Sequence, residues 1–453
     1  MSMRISRRSF LEALGAVGAA ATFSRFSEGR AYAQTADDYR ALVCVFLFGG
    51  NDGNNMVVPV DTTGYGAYAT ARGTGTGGLA LPQAQLLPLN PASGTAAYGL
   101  HPNLPELQTL WNQGVLGVVF NVGTLLAPTT KQTFLQNSVP LPISLLSHQD
   151  QQHQWQTALP DQYSRTGWGG RIADGLASGP LPSVISISGN QLFTVGATSS
   201  PLALPVAGGG FGLAGFNGTT VANARLQAMD DIRMLQEQNL IVRAIQSEAS
   251  LALSASSLVA PVLAGTGSTV DALFTGLTSS IALQLKQVAR MIEARQTLGV
   301  GRQIFFVSQS SYDTHNTQLE TQGGLFADLS PALKAFYDAT VQLGVSQQVT
   351  SFTLSDFGRT LQPASGDGSD HAWGNHQLVL GGAVLGQKTY GTFPTLQLGG
   401  PDDFTSQGRW VPTIAVDQYA ATLATWFGVS PQDLPTVLPY VGRYQTANLG
   451  FLG

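Results

Sequence analysis

Apolar residues fall along the chain in two alternating patterns. Short unbroken runs, ALVCVFLF (41–48), VLGVVFNV (115–122), SVISIS (183–188), QIFFVS (303–308), VTSFTL (349–354) and QLVLGG (377–382), have the length of strands and little polar face. They predict strands buried on both sides. Between them lie longer stretches with apolar residues three and four apart: LPELQTLWNQG before the second run, SIALQLKQVARMIEARQTLG ending at Gly299, LSPALKAFYDATVQLG ending at Gly344, and VDQYAATLATWFG near the C-terminus. Their period and closing glycines predict helices. Strands alternating with helices predict an α/β fold, a large, mostly parallel sheet with helices on both faces, built as one domain over 34–453. Residues 222–262 keep helical spacing with no strand between, which predicts a helical insertion beside the sheet, flanked by Gly-, Ser- and Thr-rich loops at 196–220 and 263–277.

The first 33 residues stand apart from this pattern. Arg7 and Arg8 precede Phe10 and Leu11, a small-residue apolar stretch follows, and Ala31-Tyr32-Ala33 forms an A-x-A cleavage site. These features predict a twin-arginine signal peptide over 1–33, with the twin-arginine translocase as partner during export and a periplasmic or secreted destination. An uncleaved anchor is the competing reading. The apolar stretch is shorter than the ~20 residues a spanning helix needs, so no stable membrane span is expected after cleavage. This route carries folded proteins, which lets a chain acquire a metal in the cytoplasm.

Charged residues make up only 11% of the 453, below the roughly 25% of ordinary soluble domains. Without residues 1–33 the balance is 17 basic against 25 acidic residues, a net of −8. No basic run survives cleavage, so nucleic acid is excluded as a partner. Cys44, the one cysteine, lies in the first apolar run; an intramolecular disulfide cannot form, and its expected role is to fill the core.

Ligands of open α/β sheets bind beyond the carboxyl ends of the strands. Here the first predicted strand runs into GGNDGNN, the fourth into QSSYDTHNTQ and the fifth into SDFGRT, and DGSDHAWGNH precedes the sixth. Acids and histidines thus gather at one edge, and imidazole with carboxylate is the ligand set of zinc, manganese or iron. None of the six histidines sits in a predicted strand. Asp52 is either the acid of a tight turn or a ligand that Gly49, Gly50 and Gly53 let the backbone bring near an ion. Asp313 and His315, two apart, share one side of an extended segment and can hold one ion, unless Asp313 serves an Asx-turn. Asp356 ends its strand, and Arg359 either grips an anionic substrate or pairs with that acid. His371 and His376 are five apart, a spacing of neither helix nor strand, so a loop that turns both onto one site is expected. Ser147 and Asp150 read as a capping box; the serine is equally placed to act as nucleophile at a helix N-terminus, and His148 to touch substrate or metal.

Taken together, FLFGGNDGNNMVVP, LHPNLPEL, SHQDQQ, TGWGGRIAD, YDTHNTQ, SDFGRT, DHAWGNHQLVLGGAV and DQYAATLATWFGV identify the chain as a member of the exported bacterial family called domain of unknown function 1501. That family is similar in organisation to the alkaline phosphatase and sulfatase superfamily. The resemblance implies an alkaline phosphatase-like sheet and one or two divalent metal ions on acids and histidines. It maps Asp52 to the acid after the first strand, Ser147 to the nucleophile, Asp313 and His315 to the late Asp and His pair, Asp356 to the following acid, and His371 or His376 to the last histidine. Two departures stand out: the late pair is usually four apart, and Phe357 occupies a position where histidine is usual. No C-x-P-x-R motif exists, which excludes an ordinary formylglycine sulfatase.

The function expected from this reading is an exported metal-dependent hydrolase of phosphate or sulfate esters, with Ser147, His148 and Arg359 catalytic and Asp52, Asp313, His315, Asp356, His371 and His376 on metal. Its partner is then a small anionic ester. The alternative is a noncatalytic exported protein that keeps the fold, with or without a structural metal, and binds polysaccharide or a cell-envelope partner. A metal-independent serine hydrolase ranks last, because there is no G-x-S-x-G elbow.

Overall fold

A computed structural model describes residues 38–453 except 178, 207–210, 212–218, 236–238 and 266; the predicted signal peptide lies outside the described residues. The strands are β1 Arg40–Leu47, β2 Val57–Pro59, β3 Leu87–Pro88, β4 Tyr98–Leu100, β5 Leu116–Gly123, β6 Val184–Ser186, β7 Leu202–Ala203, β8 Arg302–Gln309, β9 Val349–Ser355, β10 Asn375–Gly381, β11 Lys388–Tyr390 and β12 Ile414–Ala415. All six predicted strands are present. Nine form one sheet in the order β11-β5-β10-β9-β1-β8-β6-β7, with β12 beside β5, and β2, β4 and β3 form a small second sheet. In the large sheet only β10 runs antiparallel, to both β5 and β9. The other pairings are parallel, Val43 lying between Phe305 of β8 and Ser351 of β9.

The unbroken apolarity of β1 follows from its two packed faces. Ala41, Val43, Val45 and Leu47 join a core with Leu107 and Trp111, Leu285 and Ile292, and Phe326 and Phe336, which lie on the helices Pro105–Asn112, Ser280–Glu293 and Gln318–Gln342. Leu42, Cys44 and Phe46 join a second core with Trp155, Trp168, Ile172, Tyr419 and Leu423, from the helices His148–Thr157, Trp168–Asp174 and Val416–Phe427. Side chains alternate between sheet faces, so helices on both faces demand apolar residues at every position. The helix predicted from residue 329 begins eleven residues earlier, at Gln318. The 222–262 segment is two helices, Thr220–Arg233 and Leu240–Ala264. No helix among the described residues is long and apolar enough to cross a membrane.

Asp417 gives the fold a pH dependence. It sits in the first turn of Val416–Phe427, 1% exposed, with Oδ1 lacking a hydrogen-bond partner. Burial raises its pKa from 3.8 to about 7, against the smaller lowering effects of the Tyr440 backbone and Arg171. Between these values the folded chain holds a proton that the unfolded chain has released, so stability falls as pH rises from 4 to 7. The span corresponds to a contribution on the order of 4 kcal/mol. Urea unfolding of Asp417→Asn at pH 5 and pH 8 is expected to show the variant gaining on wild type at the higher pH only. An equal difference at both pH values refutes this assignment.

Candidate metal centre

The carboxyl ends of β1, β8 and β9 and the start of antiparallel β10 meet at one edge of the sheet, and the loops that follow or precede them build the site. Gly49 and Gly50 turn the chain away from β1 at φ +112° and +83°, in the left-handed region that favours glycine. A Cβ on Gly49 would collide with the backbone of Asp313, and one on Gly50 with the Phe357 ring. These glycines admit the neighbouring loops rather than an ion. Burial alternates along 311–315: Tyr312 and Thr314 are buried, while Asp313 and His315 are exposed with donor atoms 3.0 Å apart, on a chain turned by hydrogen bonds from Thr314 N–H to the Tyr312 carbonyl and from His315 N–H to the Asp313 carbonyl. The pairing predicted from their spacing is therefore found. His148 opens the helix His148–Thr157, and His371 lies on the loop before β10.

Three imidazole nitrogens lie around one carboxylate oxygen there. Asp313 Oδ1 lies 3.3 Å from His148 Nε2, 3.0 Å from His315 Nε2 and 3.5 Å from His371 Nε2, and the last two nitrogens are 2.9 Å apart. His148, Asp313 and His371 form one group able to hold a metal ion, and His315, Asp370 and His371 another. Four ligands at zinc bond lengths of about 2.0–2.1 Å stand roughly 3.3 Å from each other, the edge of the tetrahedron. The four separations above, 2.9 to 3.5 Å, lie near that value, with His148 and His315 falling in different groups.

Hydrogen bonds behind the rings fix where the protons are. His371 Nδ1 faces the carbonyl of Leu146 at 2.8 Å; a carbonyl only accepts, so Nδ1 carries the hydrogen and Nε2 of the neutral ring presents a lone pair. His148 Nδ1 likewise faces Asp356 Oδ2 at 2.7 Å. Its Nε2 is buried and makes no hydrogen bond. With both rings neutral, two lone pairs and a carboxylate thus lie close together, an arrangement that a bound cation would stabilise. The residues fit a transition-metal ion, and the carboxylate and carbonyl behind the histidines are the partners that orient metal-binding imidazoles.

Titration separates the two histidines: His371 is held neutral, whereas His148 is inclined to take a second proton on Nε2, which a metal ion would have to displace. The hydrogen bond to Asp356 raises the His148 pKa above its ordinary 6.5, overcoming burial. Burial lowers that of His371, against the raising effect of the Leu146 carbonyl. Burial pushes Asp313 upward, but the Arg359 guanidinium, His148 and His315 outweigh it and hold the carboxyl below 3.8.

Other residues expected at the metal are elsewhere. Asp52 is fully buried in an ion pair with Arg72; it also caps the short helix Gly53–Met56 through Asn54 N–H at 3.1 Å and accepts from Gln318. Its charge is spent inside the fold. Asp356 stands behind His148, its Oδ2 also accepting from Gln152 at 2.8 Å and its Oδ1 from Gly49 N–H at 3.1 Å. His376 belongs to β10 rather than a loop, accepts from Asn121 N–H at 3.1 Å and packs edge-on against Phe120. Burial lowers its pKa to about 3, the behaviour of a neutral core histidine. Arg359 is buried, and its guanidinium is consumed by the carbonyls of Gly49, Gly50, Tyr312 and Ser369 and by Asp313, leaving nothing to grip a substrate. Ser147 caps the helix through Asp150 N–H at 3.5 Å, as one of its two readings requires. Asp370 and Arg409, paired at 2.6 Å beside the site, and Gln152 had not been singled out. Asp370 and Gln152 belong to the motifs DHAWGNH and SHQDQQ, Gln152 one helical turn after His148 on the same helix, whereas Arg409 carries no local signal.

Among solved structures, Ps i-CgsB in complex with k-i-k-neocarrahexaose is similar at 7% identity, covering 88% of this chain and 74% of that one, with a TM-score of 0.34. The C-terminal periplasmic domain of EcEptC from Escherichia coli, in complex with Zn, is similar at 9% identity, covering 88% and 85%, with a TM-score of 0.35. No curated protein matches the chain. A family model matches residues 39–406, which span the whole donor cluster, and on that match the chain belongs to the family described as Protein of unknown function (DUF1501).

Proposed function

We propose that His148, Asp313, His315 and His371 hold one divalent metal ion and that the protein is an exported hydrolase of phosphate or sulfate esters. The observation that carries this reading is the convergence of four donors with the protons of His148 and His371 fixed on the far side of their rings. Three imidazoles and a carboxylate favour zinc, with manganese or iron as the other candidates. When bound, the ion supplies Lewis acidity to an anionic ester. The chain's own residues do the rest: Asp356 and Leu146 aim the imidazoles, and Arg359 holds Asp313. Ser147, adjacent to His148, is the hydroxyl proposed as nucleophile; it caps its helix at 3.5 Å and also hydrogen-bonds the Asp150 carboxylate. The motif resemblance to the alkaline phosphatase and sulfatase superfamily supplies the substrate class.

A specific observation favours a second reading. Four protein donors close a tetrahedral set, and closed sets mark structural metal sites. A noncatalytic envelope protein with a structural ion satisfies the same geometry. Elemental analysis of protein exported by the twin-arginine route, coupled to assays on phosphate monoesters, phosphate diesters and sulfate esters, separates the two. The hydrolase is expected to contain metal and turn over one ester class, with Ser147→Ala retaining metal and losing at least about 100-fold in kcat. Metal without turnover supports the structural-ion reading, and metal-free wild type defeats the hydrolase and the structural ion alike, leaving the fold.

A further inference from the structure

We infer that His315 is a releasable ligand, which closes the metal site at rest and leaves to give an oxyanion one coordination position. The inference rests on the metal reading above and concerns how the four donors differ. Three are anchored. His148 is backed by Asp356 at 2.7 Å, which is itself held by Gln152 and Gly49. His371 is backed by Leu146 at 2.8 Å, and its own carbonyl accepts from Arg409 Nε at 2.6 Å. Asp313 is fixed by the buried guanidinium of Arg359.

His315 has no such support. Asp370 Oδ1 lies 4.0 Å from its Nδ1, beyond hydrogen-bond reach, and its side chain is 44% exposed where those of His148 and His371 are 29% and 22% exposed. An imidazole without a partner behind it must surrender its rotational freedom on binding a metal, and a partner behind a ligand typically contributes 10–100-fold in metal affinity. His315 is therefore the weakest of the four bonds and the first to exchange. Asp370 is placed to receive it: a modest turn of the ring brings Nδ1–H within reach of that carboxylate. The closed four-donor set and a reaction needing an open position are then compatible in one molecule.

The test uses cobalt(II) bound to the exported protein, because the visible spectrum of cobalt reports coordination without any assay of activity. His315→Ala is expected to keep one cobalt per chain with affinity within about tenfold of wild type, whereas His148→Ala falls by more than the 10–100-fold of losing a supporting partner. Inorganic phosphate is expected to change the spectrum of both wild type and His315→Ala, and to bind the variant at least about tenfold more tightly, since no imidazole has to be displaced. Loss of cobalt from His315→Ala equal to that of His148→Ala overturns the inference, as does phosphate affinity indifferent to the substitution. Wild type that binds no cobalt overturns the metal reading itself.

Discussion

Alanine at position 371 is expected to abolish metal binding while leaving the fold in place. His371 is the residue common to both groups of donors, 3.5 Å from Asp313 and 2.9 Å from His315, and its ring is aimed by a main-chain carbonyl that no substitution elsewhere can replace. Its side chain is 22% exposed at the mouth of the site, so truncation opens the surface rather than the core. Metal bound to the native state stabilises it by about 4 kcal/mol at a free concentration 1,000 times the dissociation constant. In a domain of about 400 residues that is a rise in Tm of roughly 5 °C. Wild type is expected to show this rise on adding zinc, and His371→Ala to show none, with the two apoproteins melting together. Asp356→Asn provides the contrast. Asp356 supports His148 from behind and does not face the donors, so its loss should weaken binding by about 10–100-fold without eliminating it. If Asp356→Asn is as metal-free as His371→Ala, Asp356 is a ligand and the assignment of supporting roles is wrong.

What could be read from the sequence depended on whether the signal was local. Continuous apolar runs located six strands, because packing on both faces leaves no polar position to interrupt them. Direction was not encoded: β10 is as apolar as its neighbours, and only the short connection from β9 through the 356–374 loop turns it around. Strands of two or three residues, β2, β3 and β4, carry no periodicity to detect. At the site, the nearness of Asp313 and His315 was legible in their two-residue spacing, although the chain there is turned by i→i−2 hydrogen bonds rather than extended. His376 was misplaced because the strand begins two residues before its apolar run, which turns that ring into the core and away from His371. Arg359 and Asp52 failed for a common reason. Whether a buried charge meets a ligand or another residue is settled by chain that arrives from far away, and nothing in SDFGRT or GGNDGNN announces that partner.

Asp52 illustrates this with the largest expected effect on stability. Its carboxylate and the Arg72 guanidinium are both fully buried, and Arg72 Nε and Nη1 have no hydrogen-bond partner, so Asp52 is the only acceptor its guanidinium meets among the described residues. Removing one member of a buried ion pair leaves the other charged, dry and unpartnered, a loss of about 3–5 kcal/mol. Asp52→Ala also deletes the cap of Gly53–Met56 and the acceptor for Gln318, each adding to the loss. The expected result is a Tm lowered by roughly 4–6 °C, with the folded fraction still binding metal at the wild-type ratio. Because the pair's attraction is offset by the desolvation of two charges, replacing both members with apolar residues is expected to recover most of the stability. The double variant Asp52→Leu with Arg72→Met should melt well above the single variants Asp52→Leu and Arg72→Met, giving a coupling energy of the sign expected for neighbours. Metal loss from a fully folded Asp52→Ala, with no change in melting, would return Asp52 to the ligand set and remove the buried pair as the reason for an acid at the tip of β1.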